Sequence, residues 1–200
     1  PFIRFLVPGL TLMAMMTAAF ANASFSLMFE KVVETIVDTL MPPMSPGELT
    51  AGYVLSSTTR GLLVGLTVLI GMAIFTSIEI HSWFFVLFYA VAASMLMSVL
   101  GLITAIWAEK IDHVASINNF VILPLTFLSG TFYSTQHLPE MFQKIAHFNP
   151  FFYMIDGFRY GFIGQGDAPF WLGASVMIGV DVVLFLTVHR MLASGYKLKS

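Results

Sequence analysis

Five long apolar stretches, almost without charged side chains, alternate with short polar segments along the chain. A helix that crosses a bilayer needs about 20 predominantly apolar residues, because every backbone polar group must be paired inside the hydrocarbon core. Each stretch is long enough to cross. We therefore predict an all-α, polytopic membrane protein in which residues 1–200 form one helical transmembrane domain. The predicted spans are residues 5–29, 57–78, 83–107, 115–133 and 170–192.

The distribution of lysine and arginine predicts the orientation of these spans. Cytoplasmic loops are enriched in both residues, and a cytoplasmic C-terminus places six of them inside and three outside. The N-terminus is then external, and because nothing before Phe5 could direct its translocation, we expect a sixth span upstream in the parent protein. The inside residues are Lys31, Arg60, Lys110, Arg190, Lys197 and Lys199, and the outside residues are Arg4, Lys144 and Arg159.

Residues 30–50 form the predicted cytoplasmic connection between the first two spans. Apolar residues recur every three or four positions over residues 30–41, which predicts an amphipathic helix that a proline pair ends. Ser45, Pro46 and Glu48 then have the spacing of a capping box, which predicts a new helix leading into the second span. The apolar positions of the first helix are Val32, Val33, Ile36, Val37 and Leu40, and the polar ones are Glu30, Lys31, Glu34 and Asp38.

Two roles are open for this amphipathic helix. It could lie on the lipid surface, as amphipathic helices often do, or it could meet a protein partner. Carboxylates outnumber basic side chains in this part of the chain, and anionic lipid headgroups repel carboxylates. The charge pattern therefore favours a protein partner.

Residues 134–169 form the predicted external segment before the last span. Two short apolar helices meet at Asn149 and Pro150, and the second is too short to cross the membrane. We predict a re-entrant hairpin that dips into the outer leaflet, which requires burial against protein or the lining of a cavity. Asp156 and Arg159 stand three residues apart in the second helix, and we expect them to neutralise each other as an ion pair.

Composition excludes several classes of protein. The chain is 58% hydrophobic and 10% charged, against roughly a quarter charged in an average soluble domain. The net charge of −2 offers no basic field for nucleic acid, and the absence of cysteine excludes thiolate chemistry. No P-loop or hydrolase motif occurs, and the five histidines lack metal-ligand spacing. We predict a chain that is not an enzyme and binds no metal, cofactor or nucleic acid itself.

Polar residues inside the spans have two interpretations each. Asp181 lies in the middle of the fifth span, where an ionised carboxylate costs at least ~2.5 kcal/mol, so it is either a pathway or gate residue or a helix–helix hydrogen-bond partner. The other polar side chains either join helices or form a mildly polar lining for a transport pathway. They are Asn22, Ser24, Ser26, Asn118, Asn119, Thr126 and Ser129. Two small-x-x-x-small motifs, Gly61/Gly65 and Gly157/Gly161, allow close packing within or between subunits.

An ordered series of motifs resembles the membrane subunits of ABC-2-type transporters. It comprises Leu128–Tyr133 at a span end, Leu138-Pro139 at a helix start, and Asn149-Pro150-Phe151 followed by Asp156 and Arg159. Residues 44–49 are similar to the inner-loop segment that forms the coupling element in that family. The resemblance covers most of the chain, and within the family it is nearest to bacterial exporters of drugs or polysaccharides.

The resemblance implies a multi-pass permease of the bacterial inner membrane with six spans per subunit. It implies a dimer of permeases, expected to be two copies of one chain, on a dimer of ATPase subunits that bind ATP and Mg. The residues expected to couple to the ATPase are Glu34, Asp38, Pro43, Ser45, Pro46 and Glu48. Those expected in the pathway or its gate are Asn22, Asn118, Thr126, Ser129, Asp156, Arg159 and Asp181.

Three functional hypotheses follow from the sequence. The first is an ATP-driven exporter permease for an amphipathic, lipid-like, drug or polysaccharide cargo. The second is an ion-coupled carrier or channel that uses Asp181 as its ionisable relay. The third is a membrane scaffold that anchors an ATPase without transport.

Overall fold

A computed structural model describes residues 2–41, 43–131 and 147–197. These residues form helices and connecting turns, without a strand among them. The helices are α1 (Phe2–Val32), α2 (Ile36–Leu40), α3 (Pro46–Ala73), α4 (Trp83–Trp107), α5 (Ile111–Ile117), a π-helical turn (Asn118–Ile122), α6 (Leu123–Leu128), α7 (Pro150–Ile163) and α8 (Phe170–Ser194).

Within the described residues, five segments are long and apolar enough to cross a membrane: α1, α3, α4, the continuous run from α5 to α6, and α8. The predicted all-α, polytopic fold with five spans is therefore confirmed. The first half of the predicted external hairpin, residues 134–146, lies outside the described residues. Its second half is α7.

Helix α4 forms the centre of the bundle and packs against α1, α3, α7 and α8. It has no charged residue, and side chains such as Leu96, Met97 and Leu102 are completely buried. Small residues permit this central position, because Gly101 packs directly on the backbone of α1 at Phe20. The hydrophobic core lies along the contact between α1 and α4 and includes most of α7.

The bundle has two distinct ends. At the first, which we call the N-end, Arg4 at the start of α1 forms an ion pair of 3.2 Å with Glu79 in the connection between α3 and α4. At the other, the C-end, Gly47 at the start of α3 faces the imidazole of His189 near the end of α8. Successive spans therefore run in opposite directions, and the start of α1 and the end of α8 lie at opposite ends.

The second span differs from its predicted limits of 57–78. Helix α3 begins at Pro46, because the capping box starts a helix that nothing interrupts, and it ends at Ala73. Most of the residues after it are β-branched or polar, which weakens helix formation. Their backbone finds partners elsewhere: the N–H groups of His81 and Ser82 donate to carbonyl oxygens of α7.

The fourth span is not a regular helix. A π-helical turn separates α5 from α6, and Pro124 follows it in the first turn of α6. Proline cannot donate to the carbonyl four residues earlier, and its ring needs the space that the carbonyl would occupy. A locally widened helix accommodates both effects.

The predicted single amphipathic helix over residues 30–41 is wrong. Helix α1 continues to Val32, a turn follows, and α2 begins at Ile36. Glu34 in the turn has φ 62°, in the left-handed region that non-glycine residues rarely adopt. The predicted apolar face is also not buried as one surface: Ile36 is 6% exposed, whereas Val33 is 50% exposed.

Candidate functional site

The start of α3 forms a capped and largely exposed tip at the C-end, which we define as residues 43–48. The Ser45 Oγ accepts a hydrogen bond from the Glu48 N–H (3.3 Å), and the Glu48 carboxylate accepts one from the Ser45 N–H (2.7 Å). Pro46 occupies the first helical position, where its missing N–H costs nothing. The predicted capping box is confirmed. It fixes the direction in which the chain enters α3.

The surface around the α3 tip is acidic. Glu34, Asp38 and Glu48 are all exposed, as are Pro43 and Ser45 within or beside the tip. None of these three carboxylates forms an ion pair with another residue in the described part of the chain. They therefore leave negative charge available to a basic partner surface.

Glu30 joins the three helices around the tip, a role that the sequence analysis did not assign. Its Oε2 accepts hydrogen bonds from the hydroxyls of Tyr53 in α3 (2.6 Å) and Thr39 in α2 (3.0 Å). Helix α2 and the part of α3 that follows the tip are thereby tied to the end of α1. An acidic residue at the end of an apolar stretch was visible in the sequence, but its partners depend on the unpredicted turn at residues 33–35.

Lys31 caps the last turn of α4, a role that the sequence analysis did not assign either. Its ammonium group donates to the carbonyl oxygens of Ala105 (3.0 Å), Ile106 (3.0 Å) and Ala108 (2.6 Å). These carbonyls are among those that have no partner within a helix, so a lysine stabilises them.

A second lysine holds the end of the chain against the same region. The ammonium of Lys197 lies 3.1 Å from the Glu109 carboxylate and over the Trp107 ring. The hydrogen bond from Lys197 lowers the pKa of Glu109 below its usual value. The end of α8 is thus attached to the connection between α4 and α5.

Among the polar residues of the spans, Asn22 joins helices. Its amide donates to the Ser57 hydroxyl (3.0 Å) and its carbonyl accepts from the Arg60 guanidinium (2.9 Å), which connects α1 to α3. Ser24 and Thr126 instead donate to carbonyls of their own helices. Asn118 donates to its neighbour Asn119 at the π-helical turn.

Ser129, at the end of the fourth span, binds the beginning of α7. The Asn149 amide donates to the Ser129 hydroxyl (2.8 Å), while the Asn149 carbonyl accepts from the Phe151 N–H (3.0 Å) and so caps α7. Asn149 therefore both caps the predicted helix start and makes a tertiary contact with the fourth span. This contact links two of the predicted pathway segments at the N-end.

The predicted ion pair between Asp156 and Arg159 does not form. Both side chains are buried, and each finds a different partner. The Asp156 carboxylate accepts hydrogen bonds from the N–H groups of Asp167 (2.7 Å) and Ala168 (3.0 Å) in the connection to α8. Burial raises the pKa of Asp156 above its usual value, and the two donors offset only part of that effect.

Arg159 points the other way, towards the fourth and first spans. Its guanidinium donates to the Gly130 carbonyl oxygen and lies 3.8 Å from the centre of the Phe5 ring. The structural reason for the missing pair is that buried backbone groups on both sides of α7 need these partners. Asp156 and Arg159 therefore fasten α7 to three other parts of the bundle.

Both glycine motifs make contacts within the chain. Gly61 packs against the Met15 backbone of α1 and Ser94 of α4, and a side chain at Gly157 would overlap the Tyr89 ring. The sequence left open whether these motifs serve contacts within or between subunits. In the described structure they bring α3 and α7 close to α4.

Asp181 is 6% exposed, and its Oδ1 is enclosed without a hydrogen-bond donor. It lies at a groove of about 530 Å³ between α4 and α8, whose other lining side chains are apolar. Within the described residues it is neither the helix–helix hydrogen-bond partner nor part of an ion pair.

The described residues thus form a polytopic helical bundle with a capped, acidic tip between its first two spans. The chain belongs to the ABC-2 type transporter family, which matches residues 2–163. It is 36% identical over 199 residues to the inner membrane transport permease YadH of Escherichia coli K12, covering all of this chain and 78% of YadH. It is 26% identical over 196 residues to nodulation protein J of Rhizobium leguminosarum bv. viciae, covering 94% of this chain and 73% of that protein.

Proposed function

We propose that this chain is the membrane subunit of an ATP-driven exporter in a bacterial inner membrane. A separate ATPase subunit binds ATP and Mg, two permease copies form the conduit, and the C-end faces the cytoplasm. The cargo is amphipathic: a lipid-like molecule, a drug or a polysaccharide. Membership of the ABC-2 family and the similarity to YadH, an inner membrane transport permease, support this proposal.

The observation that carries the proposal is the capped α3 tip at the start of an unbroken helix. Helix α3 has 28 residues, so it extends about 42 Å at a rise of 1.5 Å per residue. A displacement of its tip at the C-end is therefore carried through the bundle to the N-end. The tip offers Pro43, Ser45, Pro46 and Glu48 to the ATPase, with Glu34 and Asp38 beside it.

The cargo pathway follows the polar residues of the first and fourth spans and ends at the contacts of α7. In this proposal Asn22, Asn118, Thr126 and Ser129 contribute the lining, and Asp181 contributes from the fifth span. Asp156 and Arg159 form the gate, because their bonds hold α7 against its neighbours and must change if the N-end opens. ATP drives the opening only if the ATPase binds the two states of the permease differently.

The test is charge reversal at the tip. Glu48→Lys places a positive charge where a basic partner surface would dock, so we expect at least a severalfold loss of co-purifying ATPase subunit or of ATP hydrolysis in the reconstituted complex. Glu79→Lys is the matched control, since Glu79 is also an exposed glutamate but lies at the N-end. It should leave both readouts unchanged.

Because Glu48 also belongs to the capping box, Ser45→Ala serves as a second control. It removes the cap of α3 while the tip keeps its charge. A loss with Glu48→Lys that exceeds the loss with Ser45→Ala supports docking of the ATPase at the tip. Unchanged assembly and unchanged ATP hydrolysis with Glu48→Lys would contradict the coupling role, and transport in vesicles without any ATPase would contradict the exporter.

A further inference from the structure

The groove between α4 and α8 combines an apolar wall with one enclosed carboxyl group. Its lining includes Phe84, Leu87, Phe88 and Val91 of α4 and Ile178 and Val182 of α8. Phe84 at one end and Met95 at the other are eleven residues apart on α4, so the groove extends about 16 Å from the N-end towards the middle of the bundle. An extended alkyl chain or a small ring system fits such a space.

Asp181 makes this groove more than a surface for lipid tails. Asp181 is among the residues that line the groove, it is more than nine-tenths buried, and its Oδ1 has no donor. A lipid tail would leave this carboxyl group unpaired, and unpaired polar groups inside a membrane are costly. A ligand that brings a positively charged donor would remove the cost.

The aromatic residues of the wall favour the same charge. The rings of Phe84 and Phe88 are stacked with their centres 6.3 Å apart and both line the groove. Aromatic faces attract cations, and the attraction is strongest where water is excluded. The carboxyl group and the rings are therefore complementary to one kind of ligand.

We propose that this groove binds a lipophilic amine, with the ammonium group at Asp181 and the apolar body along α4. A second copy of the chain is a poorer occupant. In a twofold contact the groove lining meets itself, and this lining contains no positively charged donor for Asp181. The proposal does not depend on an ATPase partner or on the direction of transport.

The test compares decylamine, protonated near neutral pH, with 1-decanol, which has the same alkyl chain and no charge. Binding is measured by titration calorimetry on the purified full chain in phosphatidylcholine nanodiscs, with protein-free nanodiscs subtracted. We expect decylamine to bind about tenfold more tightly than decanol, because a charge-assisted hydrogen bond and a cation–π contact are added. Asp181→Asn should abolish this preference and leave decanol binding unchanged.

The wall is tested by a matched pair of exposed leucines. Leu87 lines the groove and is 59% exposed, while Leu186 is 52% exposed on α8 and does not line it. Leu87→Ala should weaken both probes, and Leu186→Ala should weaken neither. This pair and the comparison of the two probes on the unsubstituted protein decide the proposal even if Asp181→Asn does not fold.

Three results would overturn the proposal. The first is equal binding of decylamine and decanol to the unsubstituted protein. The second is a preference for decylamine that survives in Asp181→Asn. The third is a dimer, detected by light scattering, that Leu87→Ala dissociates without any preference for the amine, which would assign the groove to a second copy.

Discussion

The ammonium group of Lys31 contacts three carbonyl oxygens at the end of α4, and this single side chain fastens two spans together. At the end of α4, the cap residue Ala108 donates its backbone N–H to the Thr104 carbonyl and has no polar side chain. A helix end that is buried without partners is costly, so a lysine from another helix replaces the missing cap. The contact also places the turn that leads to α2.

Replacing Lys31 by methionine keeps most of the side-chain volume and removes the three hydrogen bonds. We expect a loss of about 1–3 kcal/mol in unfolding free energy, because buried carbonyls are left without donors. The measurement is thermal unfolding in nanodiscs, with Lys110→Met as the control. Lys110 is exposed on the same end of the bundle and should tolerate the change. Equal melting temperatures of the two variants would show that the carbonyls do not need Lys31.

Individual contacts were predictable from the sequence only where the partners are close along the chain. Ser45 and Glu48 are three residues apart, so their spacing alone predicts the capping box. Lys31 and Ala105 are 74 residues apart, and Arg159 and Gly130 are 29 apart. The predicted pair of Asp156 and Arg159 also assumed partners that are close along the chain. In the structure, each side chain instead binds backbone groups that are farther away in sequence.

At the level of helices, hydrophobic length predicted the number of spans but not where each helix ends. A long apolar run shows that a segment can cross the membrane, whereas its ends depend on caps, proline and tertiary contacts. Helix α3 starts at its cap, well before the apolar run. The turn at Glu34 lies next to Glu30 and Lys31, whose partners are on other helices, and periodicity contains no information about such contacts.

The capping box makes the first turn of α3 rigid, and removing it should loosen that turn selectively. Ser45→Ala deletes the side-chain acceptor, and we expect a loss of about 0.5–2 kcal/mol in the stability of the helix start. Hydrogen–deuterium exchange should accelerate in the first turn of α3 and remain unchanged near Gly61. Thr59→Ala is the control, because Thr59 is exposed on the same helix and bonds to its own turn. Uniform acceleration along α3 would mean that the cap does not act locally.

On the scale of the whole molecule, five antiparallel spans separate two chemically different ends. The α3 tip, the contacts of Lys31 and Lys197 and the end of α8 lie at the C-end. Helix α7 and the buried contacts of Asp156 and Arg159 lie at the N-end. Helix α3 extends between the two ends, and the family relationship assigns the bundle to a membrane transport permease. The orientation of the bundle decides which end can meet an ATPase.

The chain contains no cysteine, so single cysteines can report which side of the membrane each end faces. Met44 at the C-end is 48% exposed, and the Glu79 side chain at the N-end is 73% exposed. In intact vesicles of known orientation, a membrane-impermeant maleimide should label Met44→Cys and Glu79→Cys from opposite sides, with Met44→Cys labelled from the cytoplasmic side. Leu63→Cys is the control, because this side chain is exposed in the middle of α3, where lipid should exclude the reagent.

The outcomes of this labelling separate the fold from the orientation. Labelling of Met44→Cys and Glu79→Cys from the same side would contradict the antiparallel arrangement of the spans, because α3 lies between these two positions. Labelling from opposite sides but with Glu79→Cys on the cytoplasmic side would leave the fold intact and reverse the bundle. In that case the α3 tip could not reach a cytoplasmic ATPase, and the proposed coupling would fail while the amine-binding groove between α4 and α8 would remain open to test.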